Sequence, residues 1–339
     1  MDRPRILSVL LAGVVLALGM ITHAWGAPAS YALTDLGAGT ATAVADDGTV
    51  VGSLHDAGTE TAAILTPPVA WLRPRGAFSQ ARGIANGVII GYQSVPAPFQ
   101  PSGAWYWAAS TGVKDLRDVH PDVYFSVPHA INRSGEIAGQ ADYRSRRGQG
   151  AVVWTPDGRL TILTTLGYTG RGLQGTALAI NTAGEVAGMA RTATGSLHAT
   201  LWRNGTPLDL HTVEGQSSMA QGLNNVEQVV GHVILADNTA RGFVWLPLTG
   251  MLLLPPLPGD TYAYAYAIND EGIVVGSSVN ATAVARAVRW VNGVVEDLNI
   301  LVGTGTALAT AVAITQQGQI VVNGPQNVAP HAWLLTPIP

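Results

Sequence analysis

Ala-Ile-Asn-Thr-Ala-Gly-Glu-Val-Ala-Gly at 179–188 and Ala-Ile-Asn-Asp-Glu-Gly-Ile-Val-Val-Gly at 267–276 are two copies of one phrase. Weaker copies surround Gly48, Gly87, Gly135, Glu227 and Gly318, so the phrase occurs seven times in 339 residues. With the turn position as marker, successive copies lie 39, 48, 49, 43, 45 and 46 residues apart. Periods of about 40–50 residues are those of β-propeller blades or similar arrays. Within the phrase, Asn132, Asn181, Asn224 and Asn269 open a turn, because an Asn side chain bonds the backbone two residues on. Thr315 takes this place in the seventh copy, and the glycine that follows supplies positive φ.

Four short strands can be read in each copy; in the fourth they cover 176–181, 185–190, 198–202 and 206–210. Tight-turn signals separate the third strand from the fourth, as in Arg203-Asn204-Gly205, Val291-Asn292-Gly293 and Pro156-Asp157-Gly158. The third strand ends in Trp107, Trp154, Trp202, Trp245 or Trp290, with Leu65 and Leu335 in the first and last copies. A large apolar side chain once per repeat is expected to fill the space between adjacent sheets. The last copy stops after its third strand, and residues 31–36, Tyr-Ala-Leu-Thr-Asp-Leu, match the missing fourth. The expected fold is all-β: one seven-bladed propeller of four-stranded blades, covering residues 30–339 and closed by the N-terminal strand.

Residues 1–29 differ from the repeats. Arg3 and Arg5 precede an apolar run from Ile6 to Ile21, followed by small residues, which is the order of a secretory signal. Cleavage after Ala29 would place Ala27 and Ala29 at the small-residue positions; cleavage after Gly26 is an alternative. The run is shorter than the roughly 20 residues that span a bilayer, so no stable membrane insertion is expected after cleavage. A secreted or periplasmic bacterial protein follows from this reading. With no cysteine, disulfides and thiolate sites are excluded. Charged residues make up 12% of the chain, against about 25% in ordinary domains, as stacked sheets require. A net charge of −4 argues against nucleic acid as partner.

His198-Ala199-Thr200-Leu201-Trp202 and His331-Ala332-Trp333, with the Ile-Asn-x-x-Gly-x-Val-x-Gly phrases, resemble the bacterial extracellular HAF-repeat family. The resemblance spans residues 31–339 and implies a propeller-like repeat architecture. It implies no activity and no catalytic residues. Phe stands in the element only at Phe243.

Candidate site residues lie on variable loops, where binding on a rigid scaffold usually resides. The loops expected opposite the Asn turns carry His120, Asp122 and Tyr124 in one connection, and Arg144, Arg146 and Arg147 in the next strand-to-strand loop. Arginine forks and tyrosine faces suit an anionic group or a sugar. Asp118, His120 and Asp122 form a weak set of metal ligands, and no metal or cofactor is expected. A third candidate surface is the run of Tyr262, Tyr264 and Tyr266, which alternation places on one side of an inner strand. The Gly-x-Ser-x-Gly elbow, His-Glu-x-x-His and phosphate-loop motifs are absent. The expected function is a monomeric, non-catalytic binding scaffold for a carbohydrate, peptide or envelope protein. The alternative is a secreted hydrolase or lyase acting on a polysaccharide at the channel mouth.

Overall fold

The computed structural model describes residues 30–56, 58–72, 74, 78–94, 103–116, 123–143, 148–325 and 328–338. Over these residues the chain is all-β apart from one short helix, and its strands fall into successive groups. The first group is β1 (Ser30–Val44), β2 (Val50–Asp56), β3 (Thr59–Ile64) and β4 (Ala70–Trp71). The second is β5 (Phe78–Ala85), β6 (Val88–Ser94), β7 (Gly103–Ala108) and β8 (Gly112–Asp115). The third is β9 (Val123–Ile131), β10 (Ile137–Tyr143), β11 (Gln149–Trp154) and β12 (Leu160–Ile162). The fourth is β13 (Gly175–Ile180), β14 (Val186–Arg191), β15 (Leu197–Arg203) and β16 (Thr206–Asp209). The fifth is β17 (Ser217–Leu223), β18 (Val229–Ile234), β19 (Ala240–Leu246) and β20 (Gly250–Leu254). The sixth is β21 (Tyr262–Ile268), β22 (Val274–Val279), β23 (Ala285–Val291) and β24 (Val294–Asp297), followed by α1 (Leu298–Val302). Three last strands follow: β25 (Thr310–Ile314), β26 (Ile320–Asn323) and β27 (His331–Ile338).

Groups two to six are each a four-stranded antiparallel sheet. The other strands form one seven-stranded sheet in the order β25-β26-β27-β1-β2-β3-β4. Two partners share β1. Residues 30–38 pair with β27, Tyr31 opposite Pro337 and Asp35 opposite Trp333, and residues 39–44 pair with β2. A bulge at the Asp35/Gly37 step breaks the first register, with Gly37 at φ +82°. Farther in, Arg289, 2% exposed, donates to the Tyr31 hydroxyl at 2.9 Å and to Glu296 at 2.6 Å. The sixth sheet is thereby tied to the N-terminal strand.

The apolar clusters among the described residues bridge neighbouring groups, and one of them joins the sixth group, the last strands and Tyr31 of β1. Ala187, Leu201 and Leu210 of the fourth pack with Val229, Phe243 and Trp245 of the fifth. Val321, Ala332 and Leu334 near the C-terminus pack with Ala41, Val50 and Leu65 of the first group. Trp154, Trp202, Trp290, Leu65 and Leu335 are each at most 1% exposed, as the repeat reading expects. Trp202 Nε1 donates to the Thr164 carbonyl at 2.7 Å, and Trp290 Nε1 to that of Pro255 at 2.8 Å. The second group departs from the pattern: Trp107 is only partly buried, and Trp105, two residues earlier, is fully buried. Gly91 makes room for it, since a Cβ there would sit 2.2 Å from the Trp105 ring.

The Asn turns do more than reverse the chain. Asn181 Oδ1 accepts from the Ala183 and Glu185 amides, while its Nδ2 donates to Glu185 Oε2 at 2.7 Å. The same Nδ2 reaches the Asn224 carbonyl of the next turn at 3.3 Å, Asn132 bonds that of Asn181, and Asn224 that of Asn269. Each buried amide thus satisfies its own turn and grips the neighbouring one.

Candidate functional site

The first strand of each group contacts the first strand of the next, and β25 contacts β1, so these strands form the inner layer. Their side chains alternate. Ser79, Ala81 and Gly83 of β5 are buried, while Gln80, Arg82 and Ile84 are half-buried. Ala263 and Ala265 of β21 are buried between the half-buried Tyr262, Tyr264 and Tyr266. Each inner strand is also broken by a bulge at the same register, which leaves one residue unpaired. The seven residues are Thr42, Arg82, His129, Leu178, Gln221, Tyr266 and Val312, and all are half-buried. A bulge re-aims a side chain and is favoured beside functional sites. No two of these residues are of the same type.

Two polar regions stand out along this layer. In the first, Glu60 accepts from the Ser53 hydroxyl and from Gln80 Nε2 at 2.8 Å. His55 Nε2 lies 3.9 Å from Glu60 and 3.1 Å from Thr40 Oγ1. Beside them the Arg82 guanidinium lies 5.9 Å from the centre of the Tyr92 ring, which meets Phe78 edge-on. Burial pushes the pKa of Arg82 down, and its Nε has no hydrogen-bond partner. His129, on the adjacent inner strand, is pushed down to about 4 by burial and by the Arg82 charge, so it is neutral at pH 7.

The second region is aromatic. The Tyr264 and Tyr266 rings stack at 6.4 Å, 6° from parallel, and Tyr264 meets His232 edge-on at 5.2 Å. Burial raises the pKa of both tyrosines and lowers that of His232. Gln221 Nε2 stands 3.4 Å from His232 Nδ1. Tyr264 therefore offers a ring with a polar margin.

A cavity of about 510 Å³ opens where the inner strands enter the Asn turns. Ile84, Ile131, Ile180 and Leu223 line it, rimmed by Asp46, Asn225 and Gln316. The rim is tied around: Thr182 N–H donates to Asn225 Oδ1, Asn225 N–H to Asp270, Asp270 N–H to Gln316, and Gln316 N–H to Asp46. Asp46 also pairs with Arg133. These side chains spend their polar atoms on one another, and this end of the layer is a structural seam.

Repetition likewise explains the pairs that look catalytic. His198 Nδ1 lies 2.8 Å from Asp209 and His331 Nε2 2.5 Å from Asp35, while Arg286 replaces the His opposite Asp297 at 3.5 Å. The histidine that opens the third strand thus holds the aspartate of the fourth, the structural role its repetition suggests. Ser218 Oγ lies 2.8 Å from His211 Nδ1, but it also accepts the Ala199 amide. Ser79 and Ser126 accept the equivalent amides of Ala62 and Ala104 in other groups. The serine staples neighbouring sheets. Among the described residues no group of three or more His, Asp or Glu is placed to hold a metal.

Of the residues singled out in the sequence, His120, Asp122, Arg144, Arg146 and Arg147 lie outside the described residues. Tyr124 belongs to β9, but its side chain is not among those described. Tyr168, on the following connection, donates to the Arg171 carbonyl at 3.1 Å and lies beneath Arg191 at 5.5 Å. Sequence reasoning placed the three tyrosines of β21 on one side of an inner strand, and they are there. It passed over Arg82, His129 and Gln221. The available signal was the repeat alignment, in which the column three residues before the turn Asn differs in every copy.

No protein-family model matches the chain, and no characterised protein matches it in sequence. Solved structures do match. The β-propeller domain of the Trilobed protease from Pyrococcus furiosus, with an open velcro topology, is 9% identical, covers 91% of this chain and 94% of its own, and has a TM-score of 0.54. Virginiamycin B lyase from Staphylococcus aureus is 12% identical over 91% of this chain and 100% of its own, at a TM-score of 0.52. A prolyl endopeptidase is 12% identical over 92% of this chain at a TM-score of 0.53, and this chain spans 48% of its length. At such identity these likenesses speak for architecture and not for chemistry, and the architecture is an all-β propeller.

Proposed function

We propose that the chain is an exported binding module, a closed ring of seven four-stranded blades whose inner layer takes up a saccharide. The division of β1 between β27 and β2 supports closure, as does the apolar cluster joining the last strands to the first group. The apolar run before residue 30 supports export. One observation carries the functional reading: side chains that recur are spent on holding sheets together, whereas the bulge column differs in every repeat. Apart from Thr42, whose hydroxyl bonds the Val51 and Ala81 carbonyls, this column is where a scaffold can acquire a ligand. Tyr266 of the column and the neighbouring Tyr264 offer stacking faces, and Gln221 offers an amide.

The test is a glycan array on residues 30–339, followed by titration of the best ligand against wild type and Tyr264→Ala. We expect the variant to keep its melting temperature and to bind at least tenfold more weakly. Failure of every glycan to bind would overturn the saccharide reading.

A further inference from the structure

Arg82 carries an inference that rests on the saccharide reading and narrows it. The side chain projects from the inner strand β5 at a bulge, half-buried, with its Nε unpartnered. No carboxylate lies within ion-pair distance of it among the described residues: Glu60, whose charge reaches it, is engaged by Ser53 and Gln80. The contrast with the other buried arginine is informative. Arg289, 2% exposed, is neutralised by Glu296 and bonded by Tyr31. A guanidinium withdrawn from water without an ion-pair partner is costly, and an anion supplied by a ligand would offset that cost.

The surroundings narrow the anion's carrier. The guanidinium lies over the Tyr92 ring, which meets Phe78 edge-on, and the Gln80 side chain, its Nε2 given to Glu60, lies two residues along the same strand. An aromatic pair, an amide and a forked cation match a sugar ring bearing a carboxylate. We propose that Arg82 is the carboxylate-binding residue of a subsite for a uronic acid, and that the ligand of this protein is an acidic saccharide. The guanidinium donates a pair of hydrogen bonds to the two carboxylate oxygens, and Tyr92 packs against the ring.

The experiment compares oligogalacturonate with the same oligosaccharide methyl-esterified, by calorimetry on residues 30–339. The wild type is expected to bind the acid at least tenfold more tightly than the ester, about 1.4 kcal/mol. Arg82→Gln should abolish this preference by weakening the acid alone, and Arg82→Lys should retain part of it. Equal affinity of the wild type for acid and ester overturns the anionic subsite while leaving saccharide binding intact; this comparison needs no variant. A preference that survives in folded Arg82→Gln overturns the assignment to Arg82. Binding of an acidic peptide but of neither oligosaccharide overturns both the subsite and the saccharide reading.

Discussion

Leu178 and Asn181 stand three residues apart, yet they belong to regions with opposite habits. Asn181 is 4% exposed, makes four side-chain hydrogen bonds and recurs as Asn132, Asn224 and Asn269. The Leu178 column holds Thr, Arg, His, Leu, Gln, Tyr and Val in turn. A buried amide closes the turn and grips the next one, so its loss to an apolar side chain leaves several polar groups without partners. A half-buried residue at a bulge has no ladder bond to keep, and the fold tolerates whatever stands there. Repetition in this molecule marks packing duty, and its absence marks the surface open to function.

Changes on the packing side should cost stability in proportion to what they bury. The largest effect is expected at Trp202→Ala, which empties a site 1% exposed and strands the Thr164 carbonyl. Its cost should be about 3–5 kcal/mol in urea unfolding. A loss below about 1 kcal/mol would break the distinction.

His129 sharpens the comparison from the other side, because the lining bears a cost of its own. Its folded pKa, about 4, lies below the ordinary value of 6.5, so the unfolded chain binds more protons between those values. Stability should be fully present above pH 6.5 and lost as pH falls toward 4, by up to about 3 kcal/mol. His129→Gln should flatten this part of the profile; an unchanged slope would remove His129 as its source.

Asn224→Ala removes bonds to Gln228, to the Asn269 carbonyl and to the Val226 and Gln228 amides. About 2–3 kcal/mol should be lost, with no change in saccharide binding measured in parallel. A binding defect at full stability would reverse the roles assigned to the two regions.

The smallest effect is expected where the packing side departs from its own rule. Glu227 stands where the other turns have glycine, at φ +60°, and pairs with Arg203 at 2.8 Å. Burial and the nearby Glu227 push the pKa of Glu185 up. Glu227→Gly trades a partly exposed ion pair for relief of backbone strain of about 1–2 kcal/mol. Its urea midpoint should stay level or rise, and a clear fall would show that the ion pair outweighs the strain.

The frame was legible because it is local chemistry written repeatedly. Asn204 and Gly205, at φ +50° and +77°, and Asn292 and Gly293, at +51° and +79°, form the tight turns their sequence demands. Trp107 was misjudged because position in the phrase does not say which of two tryptophans a neighbouring sheet has room for; Gly91, on another strand, makes the space for Trp105. Arg82 was missed for a related reason. Its significance lies in what it lacks, and the absence of an ion-pair partner is a property of three dimensions.

By itself, the sequence determined an all-β repeat array, its turn chemistry and, outside the second group, the apolar side chain that fills the sheet interface. All of these depend on residues a few positions apart and so survive in one dimension. Only the tertiary structure decided that Tyr31 completes the burial of Arg289, 258 residues away. It also decided that Glu60 accepts from Ser53 and Gln80 and that Arg82 is left without an ion-pair partner among the described residues. Electrostatic balance depends on distances between strands from different repeats, and a period in the chain carries no record of them.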